Sequence, residues 1–407
     1  MRGISGPYLF ILITLMIDAI GIGIVFPIMP DLMIRVGAGG TAQGSIWAGI
    51  LMSAYAGAQF LFAPVVGSIS DALGRKPVLL AALAFLALDY VIMAIADSYW
   101  LLLVGRTLAG FAGATYTTAT AYISDITPRE ERAARFGMIG AAFGVGFVLG
   151  PAFGGLAASW HITAPFWLAA AISATNVAFG VFILPESLKP ENRRPFGRRD
   201  LNPFATILQA LRMPALAVPL VCLFAFEFAT IVYPTLWAFW GREMFGWSTL
   251  TIGLTLSAYG ALVVGAQAGV MPLAVRMLGE RRLAIVGLIV AAVALVGFGF
   301  TSVLWAVAVF LPIAALADLV PPTLTVLVAN STDETRQGMV QGVIAALASV
   351  AAVAAPLVFT PFFGFFAREG SGTYFPGAPF LLAALLVVAL VPVALFGRLG
   401  AADGNGP

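Results

Sequence analysis

The sequence predicts an all-α protein that crosses a lipid bilayer many times. Hydrophobic residues make up 61% of its 407 residues, charged residues only 10%, and the mean hydropathy is +1.00. Soluble domains carry about 25% charged residues, which keep them dispersed in water. Apolar runs of about 20 residues, the length that crosses a bilayer, recur along the whole chain. The distribution of basic residues between alternate loops supports the same fold class.

Twelve apolar runs are long enough to span, and short polar or glycine-containing segments separate them. Their expected spans are 8–30, 45–69, 77–96, 99–122, 136–158, 163–184, 214–240, 248–275, 282–300, 302–328, 338–366 and 376–397. The first run stands where a secretory signal would, but it is longer than a signal's apolar region and carries Asp18. We therefore expect it to be retained as helix 1.

Basic residues predict the orientation of these twelve helices. Seventeen of the 21 Lys and Arg lie at the two ends of the chain or in the 2/3, 4/5, 6/7, 8/9 and 10/11 loops. Only Arg35, Arg242 and Arg368 lie in the other loops, and Arg106 lies within helix 4. Short cytoplasmic loops collect Lys and Arg. Both termini are therefore expected in the cytoplasm of a multi-pass protein of the bacterial inner membrane.

The chain reads as two six-helix halves joined by a linker. Three residue pairs recur at a shift of 205, namely Gly74 and Gly279, Gly137 and Gly342, and Pro151 and Pro356. Chance would explain one such match in a glycine-rich chain, but three at equivalent loops and helices favour duplication. We expect pseudo-symmetric six-helix bundles at 1–185 and 214–407, a cytoplasmic linker at 186–213, and a substrate cavity between the halves.

Composition excludes several classes of function. A net charge of +2 offers no basic face to nucleic acid. Cys222 is the only cysteine and His161 the only histidine, which excludes a disulfide framework and the usual zinc sites. No metal or cofactor is expected. A membrane-embedded enzyme has little support, because no catalytic cluster is visible and His161 lies in the predicted 5/6 outer loop.

The 2/3 loop carries the segment GSISDALGRKP (67–77). Gly67 and Gly74 permit close backbone approach or a left-handed turn. Asp71 can satisfy a free helix N-terminus, and Arg75 with the following lysine holds the loop at the cytoplasmic face. A solvated tight turn would use the same residues.

This segment resembles the loop 2/3 signature of the major facilitator superfamily, G-x-L-x-D-R-x-G-R-K. It departs from that signature at Ile69 and Ala72. The resemblance implies a cytoplasmic gate, whose expected members are Gly67, Asp71, Gly74, Arg75 and Asp125.

Helix 4 carries Arg106, with Gly110, Gly113 and Thr117 on the same helical face. A membrane-buried Arg costs about 2.5 to 3.5 kcal/mol, so it needs a partner or a wet cavity. The two glycines are expected to leave room for it. By resemblance, Arg106 is the intramembrane Arg that such transporters use in proton coupling; a structural Arg bound to backbone carbonyls is the alternative.

Helix 5 carries GFVLGPAFGG (146–155). The spacing of Gly146 and Gly150 lets helices approach closely, and Pro151 would bend the helix. Packing alone would account for these residues. Together with Gly154 and Gly155, however, they resemble the helix 5 motif of drug/proton antiporters, which implies export.

The chain also resembles the tetracycline-resistance efflux proteins over nearly its whole length. The segments that carry the resemblance are 18–30, 67–80, 88–94, 105–115, 135–155, 245–260 and 336–342. That family implies export of a drug against inward proton flow by alternating access. It typically carries a His in helix 8 and an Asp in helix 9, where this chain has Val263 and Ala291. The difference argues against recognition of a metal-bound tetracycline.

Four acids lie within the expected spans: Asp18, Asp89, Glu227 and Asp318. Keeping all four ionised together with Arg106 would cost about 12 to 17 kcal/mol. We therefore predict that these five residues pair or exchange protons, with Asp89 as a partner or support. A structural hydrogen-bonding role is the alternative for any single acid.

Polar and aromatic groups near these acids are expected to line the cavity. They are Tyr55, Gln59, Tyr116, Thr117, Tyr233, Trp237, Tyr259, Gln267 and Gln341. Individually each could serve in packing, and Trp240 is expected at the membrane surface. Such a cavity suits a small amphipathic organic substrate, neutral or cationic. The sequence thus predicts a monomeric, proton-coupled exporter of amphipathic drugs; a carrier of a non-drug metabolite or lipid on the same scaffold is the alternative.

Overall fold

A computed structural model describes residues 6–113, 115–194, 196–197, 214–331, 337–368, 370 and 372–397. This part of the chain is mostly helical, with short turns and loops between the helices, and contains no β-strand. The α-helices are α1 Gly6–Arg35, α2 Thr41–Leu73, α3 Arg75–Ile95, α4 Tyr99–Ala112, α5 Thr115–Ile126, α6 Arg132–Ala158, α7 Ala164–Ile183, α8 Pro214–Thr230, α9 Val232–Phe245, α10 Thr249–Gly265, α11 Met271–Phe300, α12 Leu304–Ala317, α13 Val320–Asn330, α14 Gln337–Phe366 and α15 Ala378–Phe396.

Ten helical segments of the described chain are long and apolar enough to cross a membrane. One of them, Thr249–Phe300, is 52 residues long because α10, a π-helical turn and α11 follow one another directly. Within α11, Gly279 has non-helical backbone angles, φ 73° and ψ 163°. The run predicted at 99–122 is divided into α4 and α5, of 14 and 12 residues, neither of which reaches spanning length.

The fourth helix of each half is interrupted at an equivalent position. Helix α4 ends at Ala112 and α12 at Ala317, which are 205 residues apart. Gly113, which follows α4, has φ −62° and ψ 0°, and Asp318, which follows α12, has φ −69° and ψ 5°. The internal repeat therefore extends from sequence to backbone conformation.

The turns at Gly74 and Gly279 are also equivalent. Both glycines have positive φ, 113° and 73°, which L side chains rarely adopt. Helix α2 ends at Leu73 and α3 begins at Arg75, so Gly74 alone makes the turn. The polar loop expected over 67–77 is therefore largely helical, because one positive-φ residue is enough to reverse the chain.

Contacts divide the chain into two compact units. The first comprises Met1–Gly40, Ala54–Asn202 and Trp247–Ser257, and the second Thr41–Ser53, Pro203–Gly246 and Ala258–Pro407. Part of α2 thus belongs to the second unit and the start of α10 to the first. In the first unit α1 packs mainly on α6 and α3 on α7; in the second α8 packs on α14 and α11 on α15. Each unit has its own apolar core.

Candidate functional site

An ion pair lies buried in the first unit between α3 and α4. The guanidinium Nη2 of Arg106 contacts Oδ2 of Asp89, and its Nε lies 3.4 Å from Oδ1. Asp89 is 1% and Arg106 8% exposed. The guanidinium carbon also lies 5.1 Å from the centre of the Tyr55 ring. A charge pair with an aromatic face satisfies most of what a buried guanidinium requires.

The glycines of helix 4 serve a different purpose from the predicted one. A Cβ at Gly110 would lie 2.6 Å from the Ala58 side chain, and one at Gly113 would lie 2.8 Å from Nε2 of Gln59. The absence of a side chain at these two positions therefore allows α2 to pack closely on this helix, and it does not make space for Arg106. Gly105 is the glycine beside the ion pair: a Cβ there would lie 2.8 Å from Cγ2 of Ile92 and 3.1 Å from Oδ1 of Asp89.

Asp18 lies on α1 in the same unit. It is 9% exposed and makes no hydrogen bond or ion pair with any described residue. The charge of the Asp18 carboxylate acts on the side chains of Tyr55 and Tyr90. The first unit therefore holds one buried acid that is paired, Asp89, and one that is not.

The second unit collects its polar groups around the interruption between α12 and α13. The Tyr259 hydroxyl donates to Oδ2 of Asp318 over 2.7 Å, and Nε2 of Gln267 lies 3.5 Å from the Asp318 carbonyl oxygen. Glu227 on α8 is partly buried and is subject to the charge of Asp318. No Lys or Arg occurs between Arg282 and Arg336. The predicted spans 282–300 and 302–328 therefore carry no positive charge that could neutralise Asp318.

Some of the aromatic residues predicted for the cavity are buried in an aromatic cluster of the second unit. Tyr233 and Trp237 are 8% and 3% exposed and pack with Phe298. Trp240 is fully buried, with its ring 5.3 Å from that of Trp237. An aromatic cluster therefore encloses Trp240, and its position at the membrane surface stays a prediction.

The remaining predicted cavity residues have accessible side chains. Gln59 is partly buried and donates to the Gly113 carbonyl over 2.9 Å. Tyr116 is 43% exposed and packs edge-on against Phe143. Thr117 on α5 and Gln341 on α14 are exposed as well.

Four of the five predicted gate residues meet at the turn between α2 and α3. Arg75 bridges two carboxylates, since Nη2 lies 2.6 Å from Asp71 and Nε lies 3.2 Å from Asp125. Gly74 makes the turn beside them. Gly67 is an exception to the expectation of close approach: it lies inside α2, and nothing comes within 4 Å of a Cβ built on it.

The second unit repeats this arrangement without the ion pair. Asn330 donates from Nδ2 to a carboxylate oxygen of Glu280 over 3.3 Å. These two residues stand 205 positions after Asp125 and Arg75. The equivalent contact is therefore a single hydrogen bond in place of a charge pair.

The glycine and proline motif of helix 5 lies on α6 and faces α1. A Cβ at Gly150 would lie 2.6 Å from the Ile20 carbonyl oxygen, and one at Gly154 would lie 2.8 Å from that of Ile24. Gly146 approaches the backbone of Met16 in the same way. The atom that each added Cβ would meet belongs to the backbone of α1, so the two helices could not pack this closely with larger residues.

The start of α10 packs on the other side of this motif, within the first unit. A Cβ at Gly155 would lie 2.8 Å from the Thr249 carbonyl oxygen. The Ala152 N–H donates to the Ser257 hydroxyl over 3.0 Å, and the Thr249 hydroxyl donates to the Asp31 carboxylate. Asp31 and Ser257 could not be predicted from the sequence, because no local pattern relates positions 105 or 218 residues apart.

The described residues contain no group of three His, Cys, Asp or Glu side chains that could hold a metal ion. At the two positions where the resemblance implies a His and an Asp, Val263 lies on α10 and Ala291 on α11. Ala291 is only 2% exposed.

Comparisons with known proteins agree with this geometry. A model of the Major Facilitator Superfamily matches residues 11–356. The tetracycline resistance protein, class C, of Escherichia coli is 36% identical over 382 residues, 94% of each chain. Multidrug resistance protein 2 of Bacillus subtilis is 29% identical over 356 residues, 86% of each chain.

Solved structures share the fold. A bacterial homologue of the human lysosomal transporter Spinster matches with a TM-score of 0.79 at 13% identity, over 96% of this chain and 95% of that one. The human organic anion transporter MFSD10 matches with a TM-score of 0.68 at 24% identity, over 96% and 99%. The chain therefore belongs to the major facilitator superfamily of membrane transporters and is related within it to the tetracycline resistance proteins.

Proposed function

We propose that this protein exports small amphipathic drugs across the bacterial inner membrane, driven by inward proton flow. The observation that carries the proposal is the set of ionisable groups within the helices: Asp18, Asp89 and Arg106 are buried in the first unit, and Glu227 and Asp318 are partly buried in the second. Intramembrane acids are costly and ordinarily serve ion or substrate pathways. Relatives named tetracycline resistance protein and multidrug resistance protein support a drug as the cargo.

The proposed topology has twelve spanning helices with both termini in the cytoplasm. Ten long apolar segments support it. The 52-residue segment counts as two helices separated at Gly279, and α4 with α5 counts as one. The repeat of backbone conformation at Gly113 and Asp318 supports two duplicated halves, 1–185 and 214–407, joined by the linker 186–213, of which residues 198–213 lie outside the described chain.

In the first unit, Asp18 is proposed as the proton carrier and Arg106 as the group that responds to it. Asp89 neutralises Arg106 through the ion pair. Asp18 has no such partner among the described residues, so its proton can be exchanged without breaking a salt bridge. Asp89 is accordingly proposed to support the path and not to carry the proton itself.

In the second unit, Asp318, Tyr259 and Gln267 are proposed to face the substrate, with Glu227 nearby. Paired interruptions of helices in the two halves of a transporter commonly mark its binding site, because the freed backbone groups and nearby side chains can reach a ligand. The interruption at Asp318 brings an acid there, and its counterpart at Gly113 brings none. Acids without a neighbouring base favour neutral or cationic cargo.

One proton per transport cycle would be sufficient to drive such export. At a membrane potential of about 150 mV, one inward charge supplies roughly 3.5 kcal/mol. Each 1.4 kcal/mol corresponds to about tenfold in concentration, so a neutral substrate could be concentrated several hundredfold.

Transport by everted membrane vesicles tests the proposal. A pH-sensitive dye reports proton movement as each drug of a panel is added to energised vesicles, with and without an uncoupler. Drug-dependent proton release from vesicles that contain the protein, absent from control vesicles, is the expected result. No response to any drug would contradict drug export. A response to metabolites or lipids alone would favour the alternative, a carrier of a non-drug substrate. Val263 and Ala291, at the positions where the resemblance implies a His and an Asp, are the reason to test that alternative.

Asp18→Asn and Glu227→Gln are expected to abolish substrate-driven proton movement in these vesicles, because each substitution removes an exchangeable carboxyl proton. The matched control is Asp97→Asn, since the Asp97 side chain is 89% exposed and, among the described residues, pairs only with Arg35. Wild-type coupling in both variants would remove these acids from the proton path.

Asp318→Asn is expected to weaken binding of a permanently cationic drug about tenfold or more and to leave a neutral drug of similar size within about twofold. The carboxylate charge is lost, whereas the hydrogen bond from Tyr259 can be kept by the amide. Fluorescence titration of the purified variant measures both affinities. Equal losses for the two drugs would indicate that Asp318 has a structural role.

A further inference from the structure

The segment that follows α7 forms hydrogen bonds with the gate residues. Oγ of Ser187 donates to Oδ2 of Asp125 over 3.0 Å, and the Arg194 N–H donates to the Asp71 carbonyl over 3.1 Å. Ser187 and Arg194 belong to the predicted linker, 186–213. The beginning of that linker is therefore a folded part of the first unit.

Glu186 binds the N-terminus of α3. Its Oε1 accepts from the Arg75 N–H over 2.8 Å, and its Oε2 accepts from the Lys76 N–H over 3.2 Å. The first N–H groups of a helix have no partner within the helix, and Pro77 has no N–H to satisfy. The residue in the capping position, Gly74, has no side chain that could do so. A carboxylate from 111 residues away therefore caps α3, where negative charge is favoured.

Gly74 and Glu186 fit each other. A Cβ at position 74 would lie 2.8 Å from the carboxyl carbon of Glu186 and closer still to Oε2. The positive φ of Gly74 is a second and independent reason for glycine at this position. The glycine of the loop signature thus makes both the turn and the space that the carboxylate occupies.

The cap and the gate share Arg75. Its backbone N–H is held by Glu186, while its guanidinium bridges Asp71 and Asp125. Ser187, the next residue of the linker, donates to the same Asp125 carboxylate oxygen that Nε of Arg75 contacts. Movement of Glu186 would therefore displace both the backbone and the acidic partner of the same arginine.

We propose that Glu186 is a positioning residue of the cytoplasmic gate, through which the linker holds Arg75 between Asp71 and Asp125. The proposal rests on the proposed function in one respect, that these residues form a gate which opens and closes during transport. Glu186 itself is an exposed residue at the start of the linker and is not one of the residues proposed to face the substrate. Its loss should slow the conformational step and leave substrate affinity unchanged.

Glu186→Gln tests this proposal in two measurements on the purified, full-length protein. Hydrogen exchange followed by mass spectrometry is expected to show exchange about tenfold or more faster in the peptide that contains the Arg75 and Lys76 amides, because a charged acceptor is lost. In reconstituted vesicles the maximal transport rate is expected to fall about tenfold with KM within about twofold. Glu191→Gln, an exposed acid of the same linker, is the matched control and should change neither.

The outcomes separate the two parts of the proposal. Wild-type exchange in the Glu186→Gln peptide would overturn the cap. Faster exchange with an unchanged transport rate, or a raised KM at an unchanged rate, would overturn the positioning role. Glu186→Asp keeps the charge and should recover part of the protection; exchange as fast as in Glu186→Gln would contradict the cap. If the wild-type protein transports no drug, the proposed function fails, whereas the exchange measurement still decides the cap.

Discussion

Replacing Arg106 with alanine is expected to abolish proton-coupled transport and to destabilise the protein by about 3 to 5 kcal/mol. The physical reason is that Asp89, which is 1% exposed, would keep its charge without its partner. Removal of one member of a buried ion pair costs more than removal of both. Thermal unfolding of the purified variant and the vesicle assay measure the two effects.

The double variant Asp89→Ala, Arg106→Ala separates stability from function. With both charges removed, most of the lost stability should return, because no unpaired ion remains buried. Coupled transport should not return, since Arg106 is proposed to act in the proton path. Uncoupler-sensitive transport by the double variant would show that the pair is structural; an unchanged unfolding temperature in Arg106→Ala would show that the pair contributes little.

Gly150→Ala is expected to disrupt the packing of α6 on α1, with a cost of about 1 to 3 kcal/mol or more. The added carbon would lie 2.6 Å from the Ile20 carbonyl oxygen and 2.9 Å from Cα of Gly23. Both atoms are backbone, so relief requires one helix to move as a body. We expect a lower unfolding temperature and greatly reduced transport.

Gly144→Ala on the same helix is the matched control for this effect. Nothing lies within 4 Å of a Cβ built at Gly144, so the same substitution meets open space. Alanine also has the higher helix propensity, and stability should therefore be unchanged or slightly raised. Equal unfolding temperatures for the two variants would show that α6 and α1 do not pack at this distance.

Several elements of the fold could be predicted because their signals are local. The run predicted at 77–96 corresponds to α3, Arg75–Ile95, and the run at 338–366 to α14, Gln337–Phe366. Apolar runs end where polar residues or glycine begin, and a helix ends at the same places. The division of helix 4 at Gly113 was not predicted, because neither a proline nor a charged residue lies within five positions of the interruption.

The candidate site shows the same limit. The sequence identified one arginine and four acids within apolar spans, and the cost of burying charge required some of them to pair. It could not tell which acid meets Arg106, because that depends on how α3 and α4 rotate against each other. The structure selects Asp89 and leaves Asp18 without a partner among the described residues.

Glu186 illustrates what composition cannot reveal. In the sequence it is one of several charges in a polar segment and reads as part of a solvated linker. In the structure it caps a helix that begins 111 residues earlier, because the turn at Gly74 brings that helix end beside the end of α7.

The sequence by itself determined the solvent, the apolar helices and the internal repeat of this protein, since hydropathy and loop charge are properties of short stretches of chain. Tertiary structure alone decided which charges pair, which glycines face α1 or α2, and that Trp240 is enclosed in an aromatic cluster. Those outcomes depend on contacts between helices that are distant in sequence, and no local pattern encodes the rotation of one helix against another.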